Sequence, residues 1–417
     1  MGQTLIEKMI SLKLGRDIYK GQSVFVPVDI IMGTDGTTPL ALKVLEEYNI
    51  NKIKNPEKII FVHDHFAPPK DISTANLSRM LDQFAKKFHI TSYKEDRGGI
   101  CHVLLPELGI MKPYDIVVGA DSHTCTYGGL GIFSMGIGST DMACAMATSK
   151  LWIKVPETIR IKVSGNLKSG VEAKDLILSI IGMLGTDGAN YRAIEFCGST
   201  IEKLTIAERM TICNMVIECG AKAGIINIDK VTEQYYYEKG IQDCQRIEAD
   251  SDANYLETYE VEAEQLKPQI GCPYSPANVR NAEELIGTKI NQVVIGSCTN
   301  GRIEDFRIAY QYMKGKQVHK NVKLILVPGS HNVLMQMEEE GMLKDFIKSN
   351  AIISPPSCGP CMGGHMGVLA DDQVGLYTTN RNFYGRNGSP SSKVYLSNVS
   401  IAALSAIEGE IQVPEVN

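Results

Sequence analysis

The chain has 417 residues, more than one hydrophobic core usually supports, so two to four domains are expected. Hydrophobic residues at 44% and charged residues at 22% match folded globular proteins and exclude a disordered or fibrous chain. A formal net charge of -6 argues against a general nucleic-acid surface. The opening "MGQTLIEKMISLKLG" has no signal-peptide core, and no run reaches the roughly 18 apolar residues of a membrane helix. A cytoplasmic protein without nucleic-acid or membrane partners is expected. Its eleven cysteines, odd in number and irregularly spaced, do not suggest a secreted disulfide framework.

In chain order, Thr4 and Glu7 have capping-box spacing and predict a helix over roughly 4–13. "GQSVFVPVDI" and "EKIIFVHDHF" read as short buried strands with the helical "DGTTPLALKVLEEY" between them. "DISTANLSRMLDQFAKKF" puts Leu77, Leu81, Phe84 and Phe88 on one helical face, and "DIVVGADSH" reads as a strand ending in polar residues. This alternation predicts a parallel or mixed α/β sheet.

Pro156 interrupts the pattern, and "IRIKVSG" followed by "AKDLILSIIGML" starts a second series. Domains are therefore expected over 1–156, 157–270 and 271–417. The acidic, weakly periodic "RIEADSDANYLETYEVEAEQLKPQ" reads as a solvated connection. The last series contains the strands "NQVVIGSC", "VKLILVPGS" and "NAIISPPSC", with "NVLMQMEEEGML" as an intervening helix. Two of these strands end in a cysteine, where open α/β sheets bind ligands.

Cys358 and Cys361 form a Cys-x-x-Cys pair in "CGPCMGG", which serves redox, zinc and iron-sulfur chemistry alike. Pro360 and the following glycines disfavour a thioredoxin-type helix. Cys298, Cys358, Cys361 and His365 could complete a zinc site. The small residues of "GSCTNG" and "CGPCMGG" also leave room for a four-iron cluster with one iron lacking a protein sulfur. Other polar groups gather in short motifs: His63, Asp64 and His65 after a strand, His102 beside Cys101, and Asp121, Ser122 and His123 entering a glycine-rich loop. Asn214 and Glu218 are four apart on an apolar helix, and a buried Glu needs a partner such as histidine. Asn380, Arg381 and Arg386 share one loop, with two guanidinium groups suited to carboxylates.

The motifs "GADSHT", "GSCTNGR", "CGPCMGGHMG" and "TTNRNFYGR" make nearly the whole chain resemble the aconitase family, and within it the large subunits of two-part members. The resemblance implies three α/β domains around a central iron-sulfur cluster, without the swivelling fourth domain of single-chain relatives. It implies Cys298, Cys358 and Cys361 as the ligands of one 4Fe-4S cluster with an open iron. Asp64 and His65 match a pair whose histidine protonates a departing hydroxyl. His102 with Asp121, and His123 with Glu218, match two histidine-carboxylate pairs. Ser122, Asn214 and Asn380 match polar contacts around substrate and cluster, and Arg381 and Arg386 match carboxylate-binding arginines.

The implied reaction is a hydro-lyase isomerisation of a small 2-hydroxy di- or tricarboxylic acid. A separate small subunit is expected to bring the swivel domain, with a serine base and the side chain that selects among substituents of the acid. Thr34 departs from the histidine or glutamine common at its position. An RNA-binding regulator is the reading from another class, and the acidic balance argues against it.

Overall fold

The computed structural model describes residues 2–94, 96–242 and 244–415. It contains three principal sheets, each a run of short buried strands linked by helices. The helix Leu5–Leu14 forms as its sequence predicts. Thr4 accepts from the Glu7 backbone at 3.4 Å, Glu7 accepts from the Thr4 backbone at 2.7 Å, and Gly15 ends the helix in the left-handed conformation. Asp71 caps Ile72–Phe88 in the same way through Thr74, and Leu81 is the fully buried residue of its expected apolar face.

The first sheet is parallel, in the spatial order Thr91–Tyr93, Ile59–Val62, Ile30–Thr34, Ile116–Gly119, Phe133–Gly136. Its chain starts at the centre, runs out to one edge, and returns to fill the other side. The switch point therefore falls between Ile30–Thr34 and Ile116–Gly119, the place where such sheets open a crevice. Helices cover both faces, which is why Ile59–Val62 and Ile116–Gly119 are apolar without alternation.

The second sheet is also parallel, ordered Ala223–Ile226, Ala193–Cys197, Thr158–Ser164, Glu257–Glu262. Its last strand corrects the sequence reading of the acidic stretch as a solvated connection. Glu257–Glu262 is an edge strand paired in register with Thr158–Ser164, turning Tyr259 and Val261 inward and glutamates outward. One apolar face on a charged strand was too weak a signal, and charged edges are a common protection for exposed strands.

The third sheet has seven strands, ordered Val279–Asn281, Gln269–Gly271, Lys393–Leu396, Val374–Tyr377, Gln292–Gly296, Lys323–Val327, Ile352–Ile353. The last five are mutually parallel, and a second switch point lies between Val374–Tyr377 and Gln292–Gly296. The expected single helix in "NVLMQMEEEGML" is two, His331–Glu339 and Met342–Lys348, because Gly341 turns left-handed at φ 73°.

Gly128 sits where the glycine-rich segment Ser122–Leu130 meets the second sheet. A Cβ there would lie 1.7 Å from the Gly224 carbonyl oxygen, which is backbone and cannot rotate away. Gly128→Ala should destabilise the chain by about 3 kcal/mol as an overpacked core position. Thermal unfolding measures this, and an unchanged midpoint would contradict the close approach.

Candidate functional site

Both switch points deliver polar residues from the carboxyl ends of their strands, and these residues meet. Asp35 follows Ile30–Thr34 and is buried. Its Oδ1 accepts from the backbone of Asp64 at 3.0 Å and His65 at 2.8 Å, and its Oδ2 accepts from Phe66 at 3.0 Å. This clamp shapes the loop after Ile59–Val62. Asp64, fully buried, binds His65 Nδ1 through Oδ1 at 2.7 Å and accepts the Cys101 N–H on Oδ2 at 2.7 Å. Its carbonyl accepts from Cys358 N at 2.8 Å and Ser357 Oγ at 2.9 Å, joining the first sheet to the cysteine loop of the third.

His65 Nε2 lies 3.2 Å from Asp121 Oδ2, while His102 Nε2 lies 2.8 Å from Asp121 Oδ1. With a carboxylate on each ring nitrogen, His65 is built as an imidazolium. Burial opposes that charge, but Asp64 and Asp121 outweigh it and hold the His65 pKa well above the usual histidine range. Burial likewise favours a neutral Asp121, yet the bonds from His102 and His65 hold it well below the usual carboxylate range. Tyr127 closes the chain at 3.1 Å from His102 Nδ1.

A second pair lies next to the first. His123 Nε2 is 3.0 Å from Glu218 Oε1, which also accepts from Arg381 Nε at 2.7 Å, and the His123 N–H donates to Asp121 Oδ1 at 2.8 Å. Burial and then the Arg381 charge push the His123 pKa down to about 4. The ring is neutral at pH 7. Ser122 Oγ is 3.5 Å from His123 Nδ1, and Arg386 Nε donates to the Cys361 carbonyl at 3.1 Å.

The three thiols face this group. Asn214 Nδ2 donates to Cys298 Sγ at 3.2 Å, Asn380 Nδ2 donates to the same sulfur at 3.4 Å, and the Cys361 thiol donates to Asn380 Oδ1 at 3.4 Å. Thr299 links the two asparagines, donating to Asn214 Oδ1 at 2.8 Å and accepting from Asn380 at 3.0 Å. Cys358 Sγ is 3.9 Å from Asp64 Oδ2. Burial and then neighbouring Cys361 push the Cys298 thiol up to about 12, and burial with Asp64 and the other thiols raises Cys358 too. Thiolates are unfavourable here without a cationic centre, and amide donors already point at one of the sulfurs.

The spacing bears on which centre fits. Among the described residues, the one set of three potential ligands with donor atoms within 4.8 Å of one another is Asp64, His65 and Cys358. The three sulfurs are thus too far apart to share one tetrahedral ion, whose ligands bind at about 2.3 Å. His365, the fourth member of the possible zinc set, instead puts Nε2 2.6 Å from the Pro68 carbonyl. The thiol spacing is compatible with a centre larger than a single ion.

Several local expectations need correction. Asn214 and Glu218 do not share one α-helix: Ile206–Met215 ends first, and Glu218 lies in the 3-10 turn Val216–Cys219 before left-handed Gly220. The tighter winding aims Glu218 at His123. Cys298 and Cys361 lie in short helical turns, Ser297–Asn300 and Gly359–Met362. Gly296 makes the first turn possible, since a Cβ there would lie 2.1 Å from the Val327 carbonyl. His63 points away, to Ser78 Oγ at 2.8 Å and Ser92 Oγ at 3.2 Å. Thr34 is buried against Thr37 at 3.1 Å. Asp35 and Tyr127 were not singled out in the sequence, although Asp35 follows a strand end, the same signal that marked Cys298.

Compared with known proteins, the chain matches the Aconitase family (aconitate hydratase) over residues 7–409. The chain belongs to the aconitase family. Relatives named "3-isopropylmalate dehydratase large subunit" are 49% identical in Thermoanaerobacter pseudethanolicus over 100% of both chains, and 48% in Thermodesulfovibrio yellowstonii over 100% of this chain and 99% of the relative. One in Hydrogenobaculum sp. is 46% identical over 100% and 98%. The crystal structure of Thermococcus kodakaraensis aconitase X (holo-form) shares the fold, with TM-score 0.54 and 14% identity over 96% of this chain and 95% of that one. The aconitase-type α/β fold is as the motifs imply, and the family implies an iron-sulfur cluster. Among the described residues, no helix is long and apolar enough to cross a membrane.

A depressed histidine pKa has a defined effect on stability. Between pH 6.5 and about 4 the unfolded chain protonates His123 while the folded chain does not, so His123 withdraws stability as pH falls through that window. His123→Gln should flatten the fall in stability between pH 6.5 and 4 relative to wild type. Parallel slopes in denaturant melts across that range would contradict the depressed value.

Proposed function

We propose that this chain is the large, catalytic subunit of a 3-isopropylmalate dehydratase, interconverting 2-isopropylmalate and 3-isopropylmalate by dehydration and rehydration in leucine biosynthesis. The likeness to whole dehydratase large subunits supports the substrate. The observation that carries the chemistry is His65, clamped as a charged acid between Asp64 and Asp121.

Cys298, Cys358 and Cys361 would hold a 4Fe-4S cluster. When bound, its open iron supplies a Lewis acid for the hydroxyl and a carboxylate of the substrate. The protein's own groups do the proton work and the positioning. His65 donates a proton to the departing hydroxyl, which leaves as water with the C–O electron pair. A base removes the proton on the neighbouring carbon, and that C–H pair becomes the double bond. Rehydration reverses these steps with the two positions exchanged.

Asp121 restrains both His65 and His102 and stabilises the imidazolium from which the proton is given. Neutral His123 and Glu218 orient Arg381, whose guanidinium with that of Arg386 binds carboxylates. Ser122, Asn214 and Asn380 hold substrate and cluster ligands in register. A small subunit, as the relatives' names indicate for them, would bring the serine base and the substituent-selecting contacts. Cys298, Cys358 and Cys361, which would ligate the cluster as thiolates, suit a reducing cytoplasm.

Anaerobic reconstitution with the small subunit, then assay on isopropylmalate, homoaconitate, citrate and dimethylmalate, tests the reading; preference for another acid would overturn the substrate. Cys361→Ser should lose both cluster iron and turnover, and normal turnover without iron would refute the cluster's role. His65→Gln should lower kcat by roughly 100-fold or more with little change in KM, as loss of a general acid does. Arg386→Lys should raise KM about tenfold through loss of planar carboxylate recognition, and unchanged kinetics would remove Arg386 from the substrate site.

A further inference from the structure

Lys174 is a charged residue in an unusual place. It lies in the first turn of the helix Ala173–Leu184, where the dipole disfavours a cation, and it is fully buried. In sequence it falls on the apolar face, three, four and seven residues before Ile177, Leu178 and Ile181. A buried ammonium costs several kcal/mol unless its hydrogen bonds are met. Here Nζ lies 2.8 Å from the Thr378 carbonyl, 2.6 Å from the Thr379 carbonyl and 3.4 Å from Asn300 Oδ1. An ammonium has three protons, so these three acceptors saturate it.

Where the acceptors sit matters more than their number. Thr378 and Thr379 directly follow the strand Val374–Tyr377 and directly precede Asn380 and Arg381. Asn300 closes the helical turn that carries Cys298 and is held from its other side by Asp305 at 2.8 Å. One ammonium from the second sheet's layer thus gathers both strand ends at the third sheet's switch point.

We propose that Lys174 is a positioning residue. Its ammonium draws the Thr378 and Thr379 carbonyls and the Asn300 amide together, and so sets Asn380 against Cys298 and Cys361 and Arg381 against Glu218. The proposal rests on the dehydratase reading above. Without the charge, the two buried carbonyls that converge on Nζ lose their shared donor and separate, and the asparagine amide that spans two sulfurs moves with them.

The test uses the chain reconstituted anaerobically with ferrous iron and sulfide and paired with its small subunit. Lys174→Ala removes the length of a propylammonium ion, and a cavity of about 240 Å³ lined by Lys174, Asn300 and Asp305 adjoins the space this leaves. The alanine variant should lose roughly 100-fold in kcat/KM, the scale of an ångström's misplacement at a reacting centre. It should also release iron to a ferrous chelator faster than wild type. Propylammonium should restore both properties saturably, whereas 1-propanol, equal in length and uncharged, should restore neither.

Equal rescue by propanol would reduce Lys174 to a space-filler and overturn the proposal. So would wild-type turnover and iron release in the alanine variant. If that variant does not fold, Lys174→Met keeps the volume without the charge, and wild-type kinetics and iron release in it overturn the proposal as well. A wild-type chain that takes up no iron would instead sink the cluster reading, so the two failures are distinguishable.

Discussion

The burial of Asp64 is the constraint on which the site depends. A carboxylate without water must find its partners in the protein, and truncating one side of such a buried charged pair costs about 3–5 kcal/mol. Asp64 finds them on three separate pieces of chain: the imidazole of His65, the N–H of Cys101 that opens the helix Cys101–Glu107, and, through its own carbonyl, Ser357 and Cys358. Satisfying one residue therefore docks the first sheet's loop, the His102 helix and the cysteine loop together. The charge on His65 is a consequence of this arrangement.

The same logic recurs around the site. Asp121 takes two imidazoles and a backbone N–H, Glu218 takes an imidazole and a guanidinium, and Asn214 and Asn380 span sulfur, hydroxyl and amide groups. Each polar group is shared between elements far apart in the chain, so the network is rigid only when all the sheets are in place. Two neighbouring histidines consequently acquire opposite protonation states: carboxylates on both nitrogens charge His65, while burial and Arg381 keep His123 neutral. An acid and a neutral orienting group can thus coexist at one pH.

Much of this was legible in one dimension. Apolar runs of four or five residues ending in polar groups marked Ile59–Val62, Ile116–Gly119 and Gln292–Gly296 as strands, and strand ends are where α/β sheets place function. The cap at Thr4 needed only two side chains three residues apart. The edge strand Glu257–Glu262 was hidden because its charges answer to solvent while only two side chains answer to the core. Glu218 was assigned to a helix because spacing does not reveal where an α-helix tightens.

By itself, the sequence determined the local chemistry: which residue types leave which strand ends, where glycine must free the backbone, and the motifs that place the chain in its family. Only the tertiary structure decided which of those groups touch. His63 and His65, two positions apart, take different partners, one Ser78 and Ser92, the other Asp64 and Asp121, because the chain has left its strand and His65 sits in a loop held by Asp35. Cys298 joins Cys361 through an asparagine because two parallel strands at one switch point end side by side. Protonation follows from burial and partners, and both belong to the folded chain.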